Sequence, residues 1–149
     1  MISKILVPTD GSKTAQKAAR YAIGLAKKLN ASVIILSVID KRSLTSQTVP
    51  ATATSVHITE PVEDYLREAA EVYIGKIKKL CDKNGVKSKS LITTGHPVEE
   101  IVKEAERSRA SLIVMGSSGK SALEAMVIGS VTYGVIHKDT KLPLLLVKK

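Results

Sequence analysis

The chain has no tryptophan and no phenylalanine, and its four tyrosines bring aromatics to only 3% of 149 residues. A core so poor in rings has to be built from Ile, Val, Leu and Ala, which suits parallel strands covered by helices on both faces. It also leaves little from which to make the aromatic platform on which single-stranded nucleic acid stacks. One cysteine, Cys81, excludes an internal disulfide. Its neighbours in a helical pattern, Ile77 and Leu80, make it a small buried or half-buried thiol. Long apolar runs are missing too. The opening Met1–Pro8 segment is too short for a signal peptide and is broken by Pro8 and Asp10. No stretch approaches the roughly 20 apolar residues that span a bilayer. A cytoplasmic protein with no membrane partner is expected.

Charge is plentiful and unbalanced: 23 Lys and Arg against 14 Asp and Glu give a formal net charge of +9. The lysines are spread over several segments, so the excess reads as a solvated basic surface that favours an anionic ligand, and a nucleic-acid partner is not expected. The length fits one domain with a sizeable core, and neither a repeat nor a boundary divides residues 1–149.

Apolar patterning gives five strands alternating with helices. Ile2–Val7 is a short strand ended by Pro8, and Thr9-Asp10-Gly11-Ser12 follows as a turn. Over Lys13–Leu29, Ala15, Ala18, Ala19, Ala22, Ala26 and Leu29 recur at helical spacing, with Ser12 or Thr14 as cap. Ser32–Ile39 is a strand buried on both faces. Lys41–Thr59, rich in Ser and Thr and containing Pro50, reads as a long loop of the functional or mobile kind. A helix is expected to start at Pro61, with an inward stripe of Val62, Leu66, Ala69, Tyr73, Ile77 and Leu80, and to stop at Asn84-Gly85. Val86–Thr93 is a more polar strand, nearer an edge. A short helix after Pro97 turns Val98, Ile101, Val102 and Ala105 inward, and Ser111–Met115 is a fully apolar strand. After the glycine-punctuated segment 116–129, a last helix carries Val131, Val135 and Ile136, and Leu144–Val147 closes the chain as a strand. Such alternation predicts an open parallel α/β sheet with right-handed crossovers.

Ligands of such sheets sit beyond the carboxyl ends of the strands, where strand order reverses. Two loops look built for this: Thr9–Ser12 after the first strand, and Gly116-Ser117-Ser118-Gly119-Lys120-Ser121 after the fourth. For both to face one crevice the two strands should be neighbours, which favours the order 3-2-1-4-5 over 2-1-3-4-5. Glycines at 116, 119 and 129 let the backbone approach a phosphate, and the amides at the start of the last helix, at Gly129-Ser130, could hold one. The hydroxyls of Ser117, Ser118, Ser121 and Ser130 add donors, and Lys120 a mobile charge. Asp10 could cap the first helix or accept from a ribose hydroxyl. Val38 and Met115 could line an adenine pocket or be plain core.

The spacing Gly116-x2-Gly119-x9-Gly129-Ser130 resembles the ATP-binding signature of the universal stress protein family. Ile5–Ser12 resembles that family's opening strand and turn, Leu112–Gly116 its fourth strand, and Gly95-His96-Pro97 the exit of its third; the likeness spans essentially the whole chain. It implies a Rossmann-like fold of the adenine nucleotide alpha hydrolase type, with a five-stranded sheet of order 3-2-1-4-5. It further implies a homodimer joined through the C-terminal strand, 143–148, an apolar edge that invites pairing. Pro8, Thr9, Val38 and Met115 would surround adenine, and Asp10 would contact the ribose. Gly116, Ser118, Gly119, Lys120, Gly129, Ser130 and Val131 would hold the phosphates of ATP, with or without Mg2+. Ser111 departs from the family pattern, which often has Asp there, but lies at the far end of its strand.

Catalytic equipment is sparse. Gly119-Lys120-Ser121 imitates only the tail of a Walker A loop, and the preceding glycine is wrongly spaced. His57, His96 and His137 are dispersed, although His96 could reach the crevice. A receiver domain would need an aspartate ending the third strand, where Thr93-Thr94-Gly95 stands. The expected function is therefore an ATP-binding, nucleotide-dependent regulatory module of the stress response, not an enzyme. The alternative is a slow ATPase or phosphotransferase using the same pocket, with Asp10 and Asp40 as its carboxylates.

Overall fold

The computed structural model describes residues 1–45, 56–118 and 128–149. Strand β1 (Lys4–Pro8) is buried from Ile5 to Pro8 and leads into helix α1 (Lys13–Leu29). Ser12 caps α1, its Oγ accepting from the Ala15 amide at 3.2 Å, and Asn30 ends it in the left-handed conformation. Asp10 is not the cap: its Oδ1 accepts from the Ser12 amide at 2.9 Å, which closes the turn ahead of the helix. Leu29 is largely exposed and falls off the stripe, while Ile23 joins the buried alanines.

Strand β2 (Ser32–Asp40) runs straight into a short helix, α2 (Lys41–Thr45), and the long helix α3 spans Val56–Lys83. The expected 41–59 loop is thus helical at both ends, and its middle lies outside the described residues. Helix α2 has no periodicity to betray it. It is held instead by Asp40, whose Oδ1 accepts from the Arg42 amide at 2.9 Å as a capping carboxylate does. Pro61 lies inside α3 rather than at its start. So near a helix end, its missing N–H removes one backbone bond without stopping the helix. The buried stripe of α3 is also rotated from expectation: Ala70, Ile74, Ile77 and Cys81 face inward, whereas Ala69 is exposed.

The remaining elements are β3 (Ser88–Gly95), α4 (Pro97–Arg107), β4 (Leu112–Gly116), α5 (Ser130–Ile136) and β5 (Leu144–Val147). All the pairings are parallel and the order is β3-β2-β1-β4-β5, as the sequence predicts. The chain moves outward from β1 to β3, then crosses back to β4. With right-handed crossovers, that reversal puts α1 and α3 on one face and α4 and α5 on the other. The two cores follow. Ile5, Val7, Val33, Ile35 and Val114 pack with α1 alanines and with Ile74, Ile77 and Cys81; Leu6, Ile34, Leu36, Ile113 and Met115 pack with Ile101, Ala105 and Val135.

Alanines let α1 lie close to the sheet, and Gly116 is part of that fit. A Cβ on Gly116 would stand 2.7 Å from Thr14 Cγ2 and 3.2 Å from the Thr14 backbone. The glycine expected from phosphate approach is therefore also demanded by helix packing from behind. Gly116→Ala is expected to lower stability by about 1–3 kcal/mol through overpacking, read as a shift in urea midpoint; an unchanged midpoint would show that α1 yields freely.

Candidate functional site

The sheet opens where its order reverses. Strands β1 and β4 are paired over Ile5↔Leu112 and Leu6↔Ile113, whereas β1 stays paired with β2 up to Pro8↔Leu36. The Thr9 amide donates to the Leu36 carbonyl of β2 at 2.8 Å. Because alternate residues of a parallel strand bond to opposite neighbours, the position before Thr9 should donate toward β4, and Pro8 has no N–H to give. The gap between the two carboxyl ends begins there.

A cavity of about 470 Å³ fills this gap on the α4–α5 side, a size typical of small-molecule sites. From β1 and its turn come Pro8, Thr9 and Asp10, and from β2 come Leu36, Val38 and Asp40, three residues that share one face by the period of a strand. From the end of β4 and just past it come Met115, Gly116 and Ser118; Gly129, Ser130, Val131 and Thr132 enter from the start of α5. Of the described residues expected at the site from sequence, Pro8, Thr9, Asp10, Val38, Met115, Gly116, Ser118, Gly129, Ser130 and Val131 line this one cavity, whereas Ser117, expected to offer a hydroxyl, does not. Gly119 and Lys120, with Ser121, lie outside the described residues. Ser111 is remote, as expected. At the amino end of β4 its Oγ accepts from the amides of Ser3 and Lys4, both at 2.9 Å, and ties down the start of β1.

The two walls differ chemically. Pro8, Leu36, Val38, Ile101 and Met115 present apolar surface, while the Asp10 carboxylate and the residues after β4 present polar groups. The ends of the glycine-rich segment are clamped together. The Gly129 amide donates to the Ser117 carbonyl at 2.9 Å, the buried Thr132 hydroxyl to the Gly116 carbonyl at 2.9 Å, and the Ser117 amide to Val147 of β5 at 3.0 Å. Ser118 is only 4% exposed, yet its hydroxyl has no hydrogen-bond partner among the described residues. A buried hydroxyl left without a partner is costly. This one lines the cavity and has a donor to offer to an occupant.

Several lining residues escaped the sequence reading. Arg42 and Ser43 sit on α2, in the stretch read as loop, and Asp40 was named only as a nearby carboxylate. Arg42 grips Asp40 with Nε at 3.1 Å and Nη2 at 2.8 Å in addition to its amide. Those hydrogen bonds hold the Asp40 carboxyl below its ordinary 3.8 against the opposing effect of burial, with a smaller contribution from the charge of His96. His96 itself is exposed and does not line the cavity, although Pro97 does. Thr132 was missed as well; its place three residues after Gly129, one turn into α5, was the available signal. Among the described residues no group of three His, Cys, Asp or Glu gathers in a way that could hold a metal ion.

Behind the sheet, Tyr73 of α3 meets Ser37 of β2, hydroxyl to hydroxyl, at 2.7 Å. Burial holds its phenol above the ordinary range, Ser37 acts in the opposite sense, and the Asp10 charge adds to the rise.

An open parallel sheet of this order, with a mixed apolar and polar cavity at its switch point, is a doubly wound α/β protein, a class whose ligands sit at that point. The comparisons narrow the class. Residues 1–148 match the universal stress protein family, and the chain belongs to that family. Universal stress protein MJ0531 of Methanocaldococcus jannaschii is 38% identical over 149 residues, covering 100% of this chain and 84% of its own. MJ0577 of the same organism is 38% identical over 157 residues, covering 100% and 96%. The solved structure of MJ0577 matches with a TM-score of 0.86 over 100% of this chain and 97% of that one. A universal stress protein of Archaeoglobus fulgidus, solved in complex with dAMP, shares the fold at 18% identity and a TM-score of 0.68, covering 99% and 98%.

The Asp40–Arg42 clasp carries a pH signature. A carboxyl whose folded pKa lies below its unfolded value contributes stability that is complete above the unfolded value and lost as pH falls through the folded one. Asp40→Asn is therefore expected to lower the urea midpoint near about pH 6, with the gap to wild type closing as pH drops below 3.8. A gap that persists unchanged into strong acid would show that the clasp is not its source.

Proposed function

We propose that this chain is a nucleotide-dependent regulatory module that holds ATP, with or without Mg2+, in the cavity between β1 and β4. The observation that carries the reading is that segments far apart in sequence converge on one cavity, where a buried Ser118 hydroxyl has no partner among the described residues. Pro8, Thr9, Val38 and Met115 would enclose the adenine, and Asp10 would accept from the ribose hydroxyls. Gly116, Ser118, Gly119, Lys120, Gly129, Ser130 and Val131 would hold the phosphates. The net charge of +9 favours such an anion, and the A. fulgidus relative was solved with an adenine nucleotide.

Holding fits the site better than cleavage. Of the two carboxylates at hand, Asp10 is the one assigned to the ribose and Asp40 is clasped by Arg42, whereas phosphoryl transfer to water needs a group placed to orient the attacking oxygen. Slow hydrolysis is the alternative use of the same pocket, and multiple turnovers abolished by Asp10→Ala would establish it.

The regulatory reading includes a homodimer. Helix α5 is only seven residues long, and beside it a groove of about 360 Å³ is lined by Ile113, Val135, Ile136, Leu142, Leu144 and Leu146. A second copy covering the edge strand β5 would bury this apolar surface. Cytoplasmic placement belongs to the same proposal; none of the described helices is long and apolar enough to cross a membrane.

Protein purified without added nucleotide is expected to release an adenine nucleotide on denaturation, identified by mass. Neither release nor calorimetric binding of added ATP would sink the reading. Ser118→Ala should leave the urea midpoint essentially unchanged, because the hydroxyl bonds nothing described, while weakening ATP about ten- to hundredfold, as loss of a hydrogen bond to a charged group does; equal affinity would move the phosphates elsewhere. Sedimentation should give twice the chain mass for wild type and a monomer for Ile136→Glu, and a monomeric wild type would remove the dimer from the proposal.

A further inference from the structure

We infer that Tyr73, on the opposite side of the sheet from the cavity, is a positioning residue for the nucleoside end of the bound nucleotide. The inference rests on the nucleotide reading above. Its ground is that one side chain braces two of the three segments that would grip the nucleoside, the third being Met115 on β4. The first is the turn after β1. Gly11 lies in the left-handed region at φ +80°, and the Tyr73 ring occupies the space a side chain would need: a Cβ there would stand 2.5 Å from Cδ1, 2.8 Å from Cε1 and 3.1 Å from Cγ. The turn is drawn onto the ring by local bonds: the Gly11 amide donates to Thr9 Oγ1 at 3.2 Å, and Gln16 Nε2 donates to the Gly11 carbonyl at 3.1 Å. Asp10, the residue before Gly11, is therefore aimed by a backbone pressed against an aromatic ring.

The second segment is the end of β2. Ser37 is 1% exposed and meets the Tyr73 hydroxyl at 2.7 Å. The next residue, Val38, points to the other face and lines the cavity. Ring and hydroxyl thus hold Gly11 and Ser37 at a set separation, and their neighbours Asp10 and Val38 inherit that separation across the cavity. The residues proposed for the phosphates sit at and beyond the end of β4 and at the start of α5, which hang from Thr132, Ser117 and Val147 instead. Tyr73 should accordingly govern nucleoside affinity and leave phosphate affinity alone, a division that a general loosening of the fold would not produce.

The test is displacement of a fluorescent ATP analogue by ATP, by adenosine and by inorganic tripolyphosphate, on wild type, Tyr73→Phe, Tyr73→Leu, Ser37→Ala and the Tyr73→Phe/Ser37→Ala double variant. Tyr73→Phe keeps the ring and removes the hydrogen bond to Ser37. It should weaken ATP and adenosine in parallel by about three- to tenfold, and Tyr73→Leu by more, while tripolyphosphate displaces as in wild type. Ser37→Ala should weaken the same two ligands, and the double variant should be no weaker than Tyr73→Phe alone, because Ser37→Ala removes a bond that Tyr73→Phe has already removed. Equal losses for adenosine and tripolyphosphate, fully additive singles, or wild-type adenosine affinity in both Tyr73 variants would each overturn the inference. In all these outcomes wild type still binds ATP; a wild type that binds none overturns the nucleotide reading itself and the inference with it.

Discussion

The missing amide of Pro8 is the small chemical fact around which the rest of the molecule is arranged. A parallel sheet is held by N–H groups directed alternately to the strands on either side, and a ladder cannot continue through a residue with nothing to donate. Pro8 stands at the carboxyl end of β1, on the side that faces β4. It also lies between the half of the sheet built outward through β2 and β3 and the half built after the chain crosses back to β4. Strand order reverses there, right-handed crossovers send the helices to opposite faces, and the carboxyl ends of β1 and β4 part. The cavity occupies that parting rather than being carved into a finished core.

Closeness elsewhere lets the opening stay local. Buried alanines along α1 and the side-chain-free Gly116 bring the helix hard against β4, so the strand that carries the glycine-rich segment cannot drift. On the far side of the site, Arg42 and Asp40 tie α2 to the end of β2, and the carbonyls of Gly116 and Ser117 are taken up by Thr132 and Gly129. Most polar groups around the cavity are consumed in fixing its shape. The buried Ser118 hydroxyl stands apart in having no partner among the described residues. A pocket so braced is suited to holding a ligand in one pose.

Much of this was legible in the chain because the signals are local. Continuous Val, Ile and Leu runs mark strands buried on both faces, alanines at helical spacing mark α1, and glycines with serines after an apolar strand mark a backbone open to a ligand. The failures were local in cause as well. Helix α2 is too short to show a period and is held by a side chain of the preceding strand, so Ser and Thr richness read as loop. Pro61 looked like a helix start because proline favours first turns, yet here it sits inside α3. Ala69 was placed inward by a stripe that the sheet surface selects one residue later, at Ala70.

By itself, then, the sequence determined every element type but that of α2, the parallel sheet, the order implied by two loops needing one crevice, and the residue types of the candidate site, since each depends on periodicity or on what a glycine, proline or serine can do alone. Tertiary structure decided which of those residues share a cavity, that Gly116 answers to Thr14 behind it, that Arg42 and Thr132 belong to the site, and that Tyr73 braces it from the other side of the sheet. Those are relations between residues distant in the chain, and a distance between two such atoms exists only once the sheet has brought them together.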